Sequence, residues 1–344
     1  MTTNTPAPAT RRPAASAAPS FRWSMAFALL LGILFASLLA GDLLLSPAEV
    51  WAALTGRAPN FTTTVVLSWR LPRAVAGVAF GAALGTAGAI FQSLTRNPLG
   101  SPDVIGFNTG AYTGVLVVLL AVPAAGFLPL AAASLLGGLV TTGVVVALTA
   151  RSGMAGRTFI LTGIAVSALL SSVNTWLVYK TDTATATAGS LWASGTLDNT
   201  RWVNLSPALV ALGVLTIPVV VAATRLRFLA LGDDVATALG VRVRTSRFAL
   251  IVGAVALTAV TTASAGPIMF IALAAPHLAR ATLPRSHPVV AAALTGALLL
   301  SGADWIAAHA FAPTQLPVGA VTVTIGGAYL VLMLLRRDRR TPSP

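Results

Sequence analysis

The sequence predicts an all-α polytopic membrane protein with about ten transmembrane helices. Three observations carry this. The 344 residues are 56% hydrophobic and only 9% charged, with a mean hydropathy of +0.84, too apolar for an ordinary soluble domain. Nearly charge-free apolar runs recur along the chain, most of them close to the roughly 20 residues of helix that cross a hydrocarbon core. Basic residues collect at the ends of these runs and are biased to one side, as membrane topology requires.

Taken in order, residues 1–23 are rich in Ala, Pro, Thr and Ser and read as a disordered cytoplasmic tail. Residues 24–337 form the membrane domain, and 338–344 a short cytoplasmic tail. Arg22 and the apolar run behind it imitate a signal peptide, but so many runs come after it that an uncleaved first span is the better reading. The predicted spans are 24–41, 71–94, 104–121, 126–150, 158–179, 205–224, 246–265, 267–281, 288–308 and 318–335. Residues 41–68 read as an external segment in which Pro47, Ala48 and Glu49 start a short surface helix. Residues 181–202 read as an external loop with Trp192 and Trp202 at the membrane interface.

The apolar stretch 246–281 is the one ambiguous case. A single helix of that length would run about 54 Å, against a hydrocarbon core of about 30 Å. Gly266 and Pro267 break it into two spans. The charge distribution agrees. With ten spans and both termini in the cytoplasm, only Arg57, Arg70, Arg73, Lys180 and Arg201 of the 22 basic residues lie outside. Nine spans would place the last arginine cluster on the wrong side.

The second span is glycine-lined. Gly77, Gly81, Gly85 and Gly88 recur every three or four residues, so one helix face is bare enough for close approach of a neighbour. Asn97 and Pro98 then force a turn, and Ser101, Pro102 and Asp103 are expected to cap the next helix. Gln92, Asn97 and Asn108 are expected to hydrogen-bond between helices.

Several functions are excluded by what is missing. A net charge of +13 in a soluble protein would suggest nucleic acid; here the arginines sit at span ends and no nucleic-acid role is read. With no cysteine, three scattered histidines and one glutamate, neither a metal site nor a metalloprotease motif can be assembled. No Gly-x-Ser stands in the setting a rhomboid-type protease needs, and no charged ring suggests a channel filter. The only lysine, Lys180, does not belong to a phosphate-binding Gly-x-x-x-x-Gly-Lys loop, so the chain does not carry its own ATPase. With no carboxylate clearly at mid-membrane, ion coupling is disfavoured. Those absences leave an external motor.

The motifs WRLPR (69–73), GAIFQSLTRNPLGSPDVIG (88–106) and GPIMFIALAAPHLAR (266–280) resemble the FecCD-type permeases of ABC importers for iron-siderophores and vitamin B12. The resemblance extends from about Ser24 to Arg337, so residues 24–337 are read as a permease domain of the type II importer fold. It implies a second permease subunit, identical or paralogous, a cytoplasmic ABC ATPase dimer that supplies ATP and Mg, an extracytoplasmic binding protein, and no cofactor bound by this chain itself. The substrate it implies is a ferric siderophore, with cobalamin or haem as alternatives.

Segment 226–247 is the expected coupling loop. Gly232 and Gly240 punctuate two short helical pieces, and Phe228, Leu229, Leu231, Val235, Ala236, Leu239 and Val241 are too apolar for a loop that only spans water. With Asp233 and Asp234 at its head, the second piece is read as the ATPase-docking element. On the outer face the resemblance implies that Arg70 meets a carboxylate of the binding protein, with Arg73 beside it. An arginine that the family often carries after the ninth span is Ala308 here, and the adjacent His309 is a candidate substitute. Pro276 and His277 are read as structural features of the eighth span.

Overall fold

In the computed structural model the described residues are 19–338, apart from 42, 124, 151–156, 284–286 and 312–313. The tail at 1–18, its counterpart at 339–344, and Arg11, Arg12, Arg151, Arg285, Arg339 and Arg340 of the charge argument lie outside them.

Helices make up the described chain: α1 (Pro19–Leu39), α2 (Pro47–Leu54), α3 (Asn60–Thr63), α4 (Leu71–Thr95), α5 (Phe107–Ala121), α6 (Phe127–Thr149), α7 (Arg157–Lys180), α8 (Thr183–Ala193), α9 (Trp202–Ala223), α10 (Leu226–Leu229), α11 (Asp233–Ala238), α12 (Val243–Ala265), α13 (Ile271–Thr282), α14 (Pro288–His309) and α15 (Val318–Asp338). Every predicted span has a helix over most of its length. Among the described residues seven helices are long and apolar enough to cross a membrane; α5, α13 and the apolar part of α15 are shorter.

Helix α4 is the axis of the molecule. It packs against α14, α13, α12 and α9, and its Phe80, Leu84, Ile90 and Phe91 are fully buried with Leu250 and Leu257 of α12 and Leu300 of α14. Apolar burial alone does not drive such contacts in lipid, so close van der Waals packing must hold them. The four glycines permit it. A methyl on Gly81 would lie 2.4 Å from the Gly296 carbonyl, on Gly85 2.1 Å from that of Ala292, and on Gly88 1.7 Å from that of Ala272; on Gly77 it would meet only the Ser301 hydroxyl at 3.1 Å. A second bare interface, not read from the sequence, joins α5 to α6 through Gly110, Gly114 and Gly137.

Four local features differ from the sequence reading. The helix containing the second span begins at Asn60, not 71, and passes through a π-helical turn at Thr64–Arg70. Ser101, Pro102 and Asp103 do not cap α5. Pro102–Ile105 is a separate 3₁₀ turn, closed by left-handed Gly106, and Ser101 makes no side-chain cap. Of the expected cap, only Pro102 and Asp103 in the first turn of that 3₁₀ segment are realised. Residues 181–202 are not a plain loop, because Asp182 accepts from the N–H groups of Ala184 and Thr185 and starts α8. The break at Gly266 is where it was predicted, with φ 72°, but α13 starts only at Ile271 because Phe270 also has a positive φ of 67°. The predicted surface helix is present as α2, closed by a Ser46–Glu49 capping box.

Candidate functional site

Three places on the molecule gather the residues that chemistry would use. The first is the end of α4 that carries Arg70 and Arg73. The π-turn rotates the helix so that Arg70 points back at α1, donating to the carbonyls of Leu38 at 2.8 Å and Leu39 at 3.2 Å and to that of Leu43. It thereby satisfies carbonyls that a helix C-terminus leaves open. Trp202 Nε1 donates to Leu67 O at 2.7 Å, taking up a carbonyl of the π-turn, and Arg201 lies over the Trp69 ring at 5.2 Å.

Arg73, one turn further along, faces inward. Its Nε and Nη2 reach the two oxygens of Asp304 at 2.9 and 3.0 Å, its Nη1 donates to Gln315 Oε1 at 3.3 Å, and Nη2 is also 2.7 Å from Asp198. His309 stacks on Trp305 with ring centroids 4.9 Å apart, and its Nδ1 is 2.7 Å from the Trp305 carbonyl. Arg70, Arg73 and His309, picked separately from the sequence, line one cavity of about 690 Å³ together with Asp198, Arg201 and Asp304. Asp198 and Arg201 are the members sequence reasoning missed. No local motif marks them, because they sit in the connection before α9 and reach the site only by folding.

The second place is at the opposite end of α4. Arg96, held at a left-handed φ of 49°, donates to Leu229 O at 3.2 Å and ties α10 to the end of α4. Gly232 and Gly240 have φ values of 110° and 81°, so both ends of the α11 segment turn through conformations that favour glycine. Ala236 is fully buried, whereas Leu231, Val235 and Leu239 stand exposed at 61%, 47% and 57%. Val235 and Leu239, four apart across α11 and its C-cap, share one face, and Leu231 precedes them on the other side of Gly232. Val241 is half-buried against the core. Asp233 and Asp234 separate in role. Asp233 takes a bidentate bond from Arg247 of α12 at 2.6 and 2.9 Å, while Asp234 is exposed.

The third is the polar seam between these ends. Gln92 donates to Leu273 O at 2.9 Å and accepts from Arg280 at 2.9 Å, joining α4 to α13. Arg280 is 3.4 Å from His277, whose ring meets Tyr329 of α15 edge-on. Asn108 accepts from Thr262 of α12 at 3.3 Å and donates to Asp103 at 2.8 Å. Asn97 differs from expectation: it accepts the N–H of Leu99 and stabilises its own turn with Pro98. Asp103 therefore works as a partner of Asn108 rather than as a helix cap. Pro276 is buried within α13, and Pro267 meets Gly195, where a methyl would lie 2.4 Å from the Pro267 carbonyl.

Comparison with known proteins gives one consistent answer. The pattern of the FecCD transport family matches residues 29–336. The ferric enterobactin transport system permease protein FepG of Escherichia coli (strain K12) is 46% identical over 302 residues, covering 88% of this chain and 91% of that protein. The vitamin B12 import system permease protein BtuC of Vibrio cholerae is 34% identical over 323 residues, covering 92% and 95%. A solved structure described as an inward-facing conformation of a metal-chelate type ABC transporter superposes with a TM-score of 0.82 over 93% of this chain and all of that one, at 24% identity, which speaks to the fold alone. With its apolar helices and a match running over nearly its whole length, the chain is a multi-pass membrane permease that belongs to the FecCD transport family.

Proposed function

We propose that this chain is the membrane subunit of an ATP-driven importer that carries a ferric siderophore across the cytoplasmic membrane by alternating access. The observation that carries the substrate class is the 46% identity to a ferric enterobactin permease, sustained over 88% of the chain. The motor is a separate ATPase pair using ATP and Mg. Its seat is the α11 segment with its exposed Leu231, Val235 and Leu239, which the Asp233–Arg247 pair and the Arg96–Leu229 bond brace against α12 and α4. The binding protein docks at the opposite end, around the cavity of Arg70, Arg73 and His309. Both termini lie in the cytoplasm, which the arginine bias of the sequence favours.

Two permease subunits enclose the path. Helix α7 supports this, since it has one exposed face that mixes Ser171, Ser172 and Thr175 with Leu169, Val173 and Trp176. Ser172 and Thr175 donate to carbonyls of their own helix, and a face that mixes such hydroxyls with apolar side chains suits a helix lining a shared path. The remaining apolar surface faces membrane lipid.

The test is uptake of a radiolabelled ferric catecholate by cells that lack their own permease and express this chain with its ATPase and binding protein. Uptake that needs all three components is the expected result. Uptake of cobalamin or haem in place of every ferric siderophore tried would move the chain to the alternative substrate class. Uptake unaffected by loss of the ATPase would overturn the importer reading itself.

A further inference from the structure

Arg73 is not a free docking charge in this fold. One guanidinium is shared by two carboxylates from different parts of the chain, and those carboxylates are not equivalent. Asp304 on α14 takes Nε and Nη2 in the bidentate geometry that makes Arg–carboxylate pairs strong, and its side chain is only 10% exposed. Asp198 shares Nη2 from the other side at 2.7 Å, is 33% exposed, and opens onto the cavity.

The segment that carries Asp198 is a crossroads. Thr196 N–H donates to Ala265 O at 2.8 Å at the end of α12, and Gly319 N–H of α15 donates to Gly195 O at 3.1 Å. Gly195 would meet Pro267 and Gly266 would meet Trp192 if either bore a methyl, at 2.4 and 2.5 Å. On its far side Arg201 and Trp202 hold the π-turn ahead of α4. Residues 192–202 therefore touch α4, the α12–α13 break and the start of α15 at once, and Asp198 is their ionic link to Arg73.

We propose that Asp198 is an exchangeable carboxylate: an acidic side chain of the docked binding protein replaces it on Arg73, and residues 198–201, which follow buried Leu197, are released from α4. The proposal rests on the docking reading above. The geometry supplies the exchange. Arg73 with Asp198 and Asp304 already carries one surplus negative charge, so a third carboxylate enters only as one leaves, and the exposed, singly bonded one leaves at least cost. Arg201 on the same cavity wall supplies positive charge that attracts the incoming acid and receives the departing Asp198. Docking would thus free the Asp198 end of this segment from α4 while the Thr196–Ala265 and Gly195–Gly319 backbone bonds keep its other end on α12 and α15, coupling arrival of the partner to movement at this end of the molecule.

The experiment uses the full-length protein in nanodiscs with its binding protein. The chain has no cysteine, so Asn199→Cys places one nitroxide label on the exposed segment. The expected result is an immobilised label that becomes mobile when the binding protein is added. Asp198→Asn should make the label mobile without any partner and tighten binding several-fold, because the internal competitor is gone; Asp198→Glu should restore the immobile state. Asp304→Asn, at the buried carboxylate, should leave the label immobile without the partner, because Asp198 still holds the segment to Arg73. A label that stays immobile in the docked complex, or an Asp198→Asn variant with unchanged mobility, would sink the exchange while leaving docking standing. Absence of any binding to the wild-type chain would instead remove the docking reading, and the exchange with it.

Discussion

Gly88→Ala is the substitution from which the fold offers the sharpest test. The new methyl would sit 1.7 Å from the Ala272 carbonyl oxygen and 2.6 Å from its carbon, where ordinary contact begins near 3.4 Å. The obstacle is backbone, so no side-chain rotation relieves it, and α4 must part from α13. Forcing atoms into a packed interior typically costs about 1–3 kcal/mol, and a helix-to-helix backbone contact belongs at or above the upper figure, about 3 kcal/mol. Gly85→Ala, meeting Ala292 O at 2.1 Å, and Gly81→Ala, meeting Gly296 O at 2.4 Å, should come next in that order. Gly77→Ala meets only the Ser301 hydroxyl at 3.1 Å. That oxygen is buried with no hydrogen-bond partner among the described residues, so it can turn away at no loss. Gly77→Ala should be close to neutral, since the roughly 0.5–1 kcal/mol that alanine gains over glycine in a helix offsets a small displacement. Gly213→Ala on α9, with open space around it, is the control and should be neutral or slightly stabilising. The assay is unfolding in mixed micelles titrated with SDS and monitored by far-UV circular dichroism. A Gly88→Ala protein as stable as Gly213→Ala would refute the packing argument.

Further outcomes are expected at both ends of the molecule. A cysteine at Ser190, which is exposed, should react with an impermeant thiol reagent in intact cells, and one at Leu239 only after the membrane is opened; Ala236, fully buried, is unsuited to such labelling, and the reverse pattern would overturn the orientation. Leu239→Asp should abolish co-purification with the ATPase while leaving the fold intact, and Asp233→Ala should impair transport more than Asp234→Ala because only Asp233 is tied to Arg247; equal effects would argue against the brace. Arg70→Ala should lower thermal stability even without a partner, by about 1–3 kcal/mol, since hydrogen bonds from a charged donor to the α1 carbonyls are lost; Arg70→Glu should in addition weaken binding-protein affinity, most at low salt. The bonds from Ser46 hold the Glu49 carboxyl below its ordinary value of 4.5, so hydrogen-exchange protection of α2 should be full above that pH and fall as the pH drops through the lowered value. Glu49→Gln should flatten that dependence.

Much of the architecture was legible in the sequence because membrane helices are specified locally. An apolar run has to be helical in lipid wherever it lies in the chain, so ten runs announced ten helices, Gly266–Pro267 announced the break, and Gly232 and Gly240 bracketed α11. The glycine face of α4 was legible for the same reason, since spacing alone decides which residues share a face. The identity of the opposing helices was not. Gly296, Ala292 and Ala272 lie some two hundred positions along the chain, and nothing in the period of α4 names them. The start of α5 was misread because Ser-Pro-Asp is a capping signal whose reach depends on the residues after it, here a 3₁₀ turn closed by left-handed Gly106. The charges differ most. Arg70 and Arg73 looked alike in WRLPR, both candidates for an outside partner. The π-turn, whose Leu67 carbonyl is taken up by Trp202, turned Arg70 onto α1, and folding brought Asp304 and Asp198 to Arg73 from 231 positions away in one case and from the segment before α9 in the other. Composition and spacing act over a few residues and decide where helices are. Which charges meet depends on which helix faces are bare enough to touch, and only the tertiary packing decides that.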